Sequence, residues 1–134
     1  MALHGEHQVR RASEAASHRA VVARAEAYLR AHLEAPVLVA ELGRFVGLSE
    51  RGLRNAFYGV HAMGPKRWML VERLQGARRD LRNCDAHPTT VTSVATHYGF
   101  NELGRFAVTY RRVFGERPSE TLRTARRHIN ARRK

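Results

Sequence analysis

The feature that most constrains this chain is that part of it occurs twice. Val39, Leu42, Gly43, Val46, Gly47 and Leu48 have counterparts 52 positions later in Val91, Val94, Ala95, Tyr98, Gly99 and Phe100. Leu53, Phe57 and Pro65 return as Phe106, Tyr110 and Pro118 at an offset of 53, so one residue is inserted at the turn. Two copies do not make a solenoid, which stacks about three or more units to bury a continuous core. They make two lobes.

Within each copy the apolar spacing is helical. From Ser17 the residues Val21, Ala25, Tyr28, Leu29, His32 and Leu33 follow a three-to-four period that Pro36 stops. A second amphipathic stretch runs from Val39 to Val46 and ends at Gly47, and Ser49 then offers an N-cap for a third helix. Helix, glycine turn and capped helix are the punctuation of a helix-turn-helix. Projecting the third helix at 100° per residue puts Leu53, Ala56, Phe57 and Val60 on one face. Arg51, Arg54, Asn55 and Tyr58 fall on the opposite face, where a groove-reading helix presents its side chains. Pro65 opens a long helix to Asn83 whose stripe of Trp68, Val71, Leu74, Ala77 and Leu81 reads as core.

The expected organisation is a flexible leader over 1–17, a first helix-turn-helix subdomain over 18–64, a linker helix over 65–83, a second subdomain over 84–124 and a basic tail over 125–134. The fold class is all-α. A linker of 19 residues spans about 28 Å at about 1.5 Å per residue. One turn of B-DNA is about 34 Å, the interval between successive major grooves on one face of the duplex. One chain can then do what a helix-turn-helix dimer does.

Charge narrows the partner. Lysine and arginine number 24 against 12 acidic residues, a formal net charge of +12, and 22 of the 24 are arginine. Such an excess favours nucleic acid or an anionic membrane surface. No apolar run approaches the roughly 18 to 20 residues that span a bilayer, and no signal-peptide pattern opens the chain, so a soluble cytoplasmic protein is expected. Cys84 is the only cysteine, which excludes an internal disulfide and a cysteine-based zinc finger. The eight histidines are scattered without metal-ligand spacing. Phosphate loops, nucleophile elbows and clustered carboxylates are missing, so neither an enzyme nor a cofactor or metal is expected.

The second unit carries the most specific signal: Val91, Val94, Ala95, Tyr98-Gly99-Phe100, Arg105-Phe106, Tyr110-Arg111-Arg112, Phe114-Gly115, Pro118-Ser119 and Leu122-Arg123. With Glu41-Leu42, Gly47-Leu48-Ser49, Arg73-Leu74 and Ala77, these residues resemble the AraC/XylS family of bacterial transcription regulators over roughly residues 20 to 124. The resemblance implies about seven helices in two subdomains joined by the long central helix, and sequence-specific promoter binding. The chain departs from the family at Asn55 and Val108, where Arg is frequent, and at Ala62, where Gly is frequent. Relatives usually carry a separate sensing or dimerisation domain, so this chain is expected to be either a stand-alone member or the DNA-binding part of a longer regulator.

The expected base contacts are Arg51, Arg54 and Asn55 from the first unit and Gly104, Arg105 and Val108 from the second. Arg and Asn pair with guanine and adenine edges, Val108 can touch a thymine methyl, and Gly104 lets the backbone approach closely. Ser49, Lys66, Arg111, Arg112 and Arg123 are the expected contacts to the DNA backbone. Double-stranded DNA is the expected partner, with RNA polymerase and a sensor domain as further ones. Two other classes compete: a nonspecific architectural DNA- or RNA-binding protein, and a helical protein-interaction module. Competition between a promoter fragment and random duplex separates the first; removal of Arg51, Arg54 and Arg105 together tests the second.

Overall fold

The computed structural model describes residues 2–85 and 88–133, and among these residues there are seven helices and no strand. In chain order they are α1 (Ala2–Ala31), α2 (Val39–Val46), α3 (Glu50–His61), α4 (Pro65–Arg82), α5 (Val91–His97), α6 (Leu103–Phe114) and α7 (Pro118–Arg133). The chain divides into two compact units, one comprising Met1–His32 and Val37–Met69, the other Leu33–Pro36 and Leu70–Lys134. The division falls inside α4. None of these helices is long and apolar enough to cross a membrane.

In the first unit, α1 begins at Ala2, where the sequence pattern places an aperiodic leader up to residue 17. Ala, Glu, Gln and Arg are strong helix formers and no proline interrupts them, so the backbone coils without an apolar stripe. No described side chain before Val22 is buried, and periodicity therefore had nothing to report there. The buried line is Val22, Ala25 and Leu29. His32 lies past the end of the helix and is exposed, with its ring stacked on Tyr28 at a centroid distance of 4.2 Å.

Leu42, Leu53 and Phe57 meet that line at essentially zero exposure. Each such side chain contributes about 1.5 to 3 kcal/mol by leaving water. Trp68 closes the core, its ring set edge-on to Phe57 at 6.0 Å, while the Arg30 guanidinium covers it at 5.3 Å. It is thus a packing residue of the first unit. Glu26 and His61 are hydrogen-bonded to each other between α1 and α3.

The second unit builds a more polar core on the same plan. Leu74, Ala77 and Leu81 of α4 pack with Val94, Ala95, Phe106 and Leu122, but Tyr98 and Tyr110 stand where the first unit has Val46 and Phe57. Thr121 donates its hydroxyl hydrogen to Glu116 Oε1 at 2.6 Å, so the Tyr110 hydroxyl must be the donor in its 2.7 Å contact with Thr121 Oγ1. Burial raises the Tyr110 phenol above its usual range. Burial, with the Asp80 carboxylate nearby, does the same to Tyr98. Tyr98 packs against α4 at Gly76, where an added Cβ would lie 2.5 Å from the ring. Arg73 reaches out of α4 to donate to the carbonyls of Leu33 at 2.9 Å and Ala35 at 2.5 Å, and His97 pairs with Glu34 at 3.1 Å. These bonds make the four residues Leu33–Pro36 part of the second unit.

Two further differences from the sequence pattern concern the chain ends of helices. α7 continues through residue 133, so the described part of the basic tail is helical, with Ala125 buried and Arg126 donating to the Thr89 carbonyl at 2.7 Å. Arg126 is therefore a structural tether, and Lys134 lies outside the described residues. Val60 is 37% exposed although the wheel places it near Leu53. A projection gives a direction, not the reach of the neighbouring helices.

Candidate nucleic-acid interface

Each unit presents one helix whose outward face is uncovered, and local signals place it. In the first unit α2 ends at Gly47 in the left-handed region (φ 78°), a conformation that costs a residue with a Cβ about 1 kcal/mol or more. The chain reverses there, and Ser49 starts α3 by accepting a hydrogen bond from the Gly52 N–H at 3.1 Å. With its lone pair so used, the hydroxyl keeps its hydrogen to donate outward. Leu53, Ala56 and Phe57 point inward, and Arg51, Arg54, Asn55 and Tyr58 are all exposed. The Arg54 guanidinium sits 3.2 Å from Glu50, one turn back. An exposed i, i+4 pair of this kind is worth only about 0.3 to 0.5 kcal/mol, so a better acceptor displaces it easily. Lys66, the second residue of α4, is also exposed.

The second unit repeats the geometry with different chemistry. Gly99 takes the place of Gly47 with φ 82°, and the inserted residue lies between it and α6. Glu102 occupies the N-cap position of α6 without a side-chain hydrogen bond to the helix. The first turn of α6 is thus uncapped. The signal for this opening lies in the sequence but is easily missed: a glutamate stands where the first copy has Ser49, and glutamate is not among the preferred caps. On the outward face a Cβ added to Gly104 would meet nothing within 4 Å, and Val108 is 59% exposed. Arg105 is 82% exposed and lies 3.7 Å from Glu102. Arg111 and Arg112 in the last turn of α6, and Arg123 on α7, are exposed as well.

All six residues expected to read bases are therefore exposed, three on each of two helices, and so are the five expected to hold the backbone. Neither face is chemically neutral. Anionic ligands that approach α3 meet two guanidiniums and an amide; those that approach α6 meet one guanidinium, a methyl surface and an open helix terminus.

Residues 42–124 match the helix-turn-helix domain family. The chain is 42% identical over 97 residues to the probable thc operon regulatory protein of Rhodococcus erythropolis, covering 72% of this chain and 29% of that protein. It is 32% identical over 102 residues to the XylDLEGF operon transcriptional activator of Pseudomonas putida, covering 76% of this chain and 32% of that protein. The chain spans about a third of the length of these curated relatives. Among solved structures, a probable AraC family transcriptional regulator from Rhodopseudomonas palustris superimposes with a TM-score of 0.72 at 40% identity, covering 78% of this chain and 96% of that one. An AraC-type regulator from Chromobacterium violaceum reaches a TM-score of 0.75 at 24% identity over 82% of this chain and 96% of that one, a likeness of fold.

Proposed function

The chain belongs to the AraC family of helix-turn-helix transcription regulators, and on that premise we propose that it binds double-stranded DNA sequence-specifically through α3 and α6 in successive major grooves. The observation that carries this reading is the repetition of one arrangement: a left-handed glycine, a short turn and a helix with an uncovered outward face, present in both units at an offset of 52 to 53 residues.

In this reading Arg51 and Arg54 engage guanine O6 and N7, and Asn55 engages adenine N6 and N7. On α6, Arg105 supplies the hydrogen-bonding side chain, Val108 meets a thymine methyl, and Gly104 admits the backbone. Ser49, Lys66, Arg111, Arg112 and Arg123 hold phosphates and set register without reading sequence. The partners are a promoter or operator duplex, RNA polymerase at that promoter, and a separate sensor domain.

Selection from a random duplex library followed by footprinting tests the proposal. One monomer should protect two segments about one helical turn apart, with the duplex bent to admit both helices. Equal affinity for selected and random duplex would instead make the protein an architectural binder. A single short footprint would refute the two-groove arrangement.

A further inference from the structure

The second unit holds a cavity that the DNA-binding reading does not use. It is a half-open cavity of about 560 Å³, within the range of about 300 to 1,000 Å³ typical of small-molecule sites. Its walls come from the C-terminal half of α4 and the residues just after it, the end of α6, and one side of α7 from Thr121 to Arg132. The α6 contribution is Phe114, which on a helix of 100° per residue lies about 120° from Val108. Of α6 the cavity is lined by Phe114 and by none of Gly104, Arg105 and Val108.

Its lining combines cations with a few apolar side chains. Arg78, Arg82 and Arg132 line it, together with Phe114, Ala125 and Ile129. Two carboxylates, Asp85 and Glu116, are also present, so the three guanidiniums leave a local excess of one positive charge (3 − 2 = 1). Glu116 is already committed as acceptor to Thr121 at 2.6 Å. None of the three arginines pairs with a carboxylate among the described residues. The Arg78 guanidinium lies over the Phe114 ring, 4.6 Å from its centroid. Its Nε is buried and has no hydrogen-bond partner among the described residues. A buried donor on a charged group is costly to leave unmatched, and such orphans are few in native proteins.

A guanidinium seated on an aromatic ring, two more guanidiniums and apolar side chains along one lining suit one kind of ligand. We infer that this cavity binds a small organic oxyanion, a carboxylate or phosphate monoester borne on an apolar body, with the oxyanion at Arg78 and Arg82 and the apolar part against Phe114 and Ile129. Forked guanidinium donors match both headgroups in bidentate geometry. A bare inorganic anion would leave most of the cavity unfilled and Phe114, Ala125 and Ile129 uncovered. Because α4, α6 and α7 all contribute walls, an occupant ties together three helices of the second unit.

The test is a titration of the full chain, followed by calorimetry and by amide chemical shifts, with phenyl phosphate, 3-phenylpropionate and inorganic phosphate as probes. The first two arms distinguish the headgroups. Saturable binding of at least one organic probe is expected, at least tenfold tighter than inorganic phosphate, with shifts concentrated at Thr124, His128 and Ile129. Arg82→Gln removes an exposed cation and should weaken that probe tenfold or more. Thr124→Trp fills the cavity without changing charge and should weaken it similarly, with helical content checked by circular dichroism. The inference is overturned by inorganic phosphate binding as tightly as the organic probes, by shifts spread equally over Arg51, Arg54 and Arg105, by an affinity indifferent to Arg82→Gln, or by no saturation at 10 mM probe, a concentration at which even millimolar affinity, about −4 kcal/mol, registers.

Discussion

The two units share a plan and divide its local devices in opposite ways. In the first, α2 starts at Leu38 with no side-chain cap and α3 is capped by Ser49; in the second, α5 starts with a reciprocal Thr90 and Ser93 capping box and α6 is uncapped. The first closes α3 with Ala62 at φ 55°, the second closes α6 with Gly115 at φ 77°. The first core is apolar at Val46 and Phe57, the second places hydroxyls there. Duplication preserved the positions that set direction, the left-handed turn and the inward stripe, and let capping, polarity and outward chemistry drift. Stability in each unit is thus assembled from different small terms of about 1 kcal/mol each.

The largest expected effect probes the tight turn of the first unit. A Cβ on Gly43 would sit 2.6 Å from the Leu48 carbonyl oxygen, a backbone atom that can retreat only by moving the turn, while the second unit carries Ala95 at the matching position and has an extra turn residue. Gly43→Ala should cost about 3 kcal/mol, at the upper end for overpacking, and Ala95→Gly only about 1 kcal/mol. Trp68 lies in the first core, so its fluorescence during urea unfolding reads Gly43→Ala, and amide exchange in α5 and α6 reads Ala95→Gly in the second. A Gly43→Ala variant less perturbed than Ala95→Gly would mean that the two turns are equivalent after all.

Next in size is the division of base reading. Arg51→Ala or Arg54→Ala should each cost about 1 to 3 kcal/mol of DNA affinity and relax preference at one base pair of the first half-site. Val108→Ala should cost less, and Arg105→Ala should be the most severe substitution on α6. Binding selections with each variant check this ordering. Loss of more sequence preference from Val108→Ala than from Arg54→Ala would reverse the proposed asymmetry.

The hydroxyls of the second core supply a smaller effect and a pH signature. Tyr110→Phe removes the donor to Thr121 and should cost about 1 kcal/mol. Because burial raises the Tyr110 and Tyr98 phenols above their ordinary 10.0, the unfolded chain ionises first on raising pH. Between the unfolded and folded values the folded state holds more protons, so this stabilisation is complete below about pH 10 and falls as pH rises through the folded values. Amide exchange at alkaline pH should therefore show the second unit opening before the first, and Tyr110→Phe should narrow the gap. Simultaneous opening of both units would remove the distinction between the cores.

The smallest effect is a gain. Ala62 pays for a left-handed conformation that Gly115 adopts freely, so Ala62→Gly should stabilise the first unit by about 0.5 to 1 kcal/mol, and Gly115→Ala should destabilise the second by a similar amount. Paired thermal melts read both. A loss from Ala62→Gly would mean that chain entropy in the unfolded state outweighs the relieved strain.

How much of this was legible in the sequence depended on whether the signal was local. The boundaries of α2 and α3, the inward stripe from Leu53 to Phe57, the core position of Trp68 and the inserted turn residue all follow from spacing and punctuation, because each is set by neighbours within one or two turns. The start of α1 was hidden, since propensity without burial leaves no period. Arg126 reads as tail charge until Thr89, 37 residues earlier, appears beside it. The Gly76 and Tyr98 contact and the Arg78 and Phe114 pair join residues 22 and 36 positions apart, and no periodicity encodes such a meeting. The outward residues were readable as exposed, whereas the uncapped start of α6 needed the geometry of Glu102.

The clasp of Arg73 on the carbonyls of Leu33 and Ala35 bears on how such a protein can be taken apart or recombined. The second copy looks like a portable cassette in the primary sequence, yet four of its residues are borrowed from a stretch ahead of the first copy's α2. A fragment begun at Leu70 would leave a partly buried guanidinium without its two acceptors and His97 without Glu34. Swapping the second copy between relatives would likewise graft a lock without its keeper. Inheritance of the two copies is therefore coupled, and a substitution in the Leu33–Pro36 strap should be compensated in α4 or α5 rather than in the helices that flank it in the sequence.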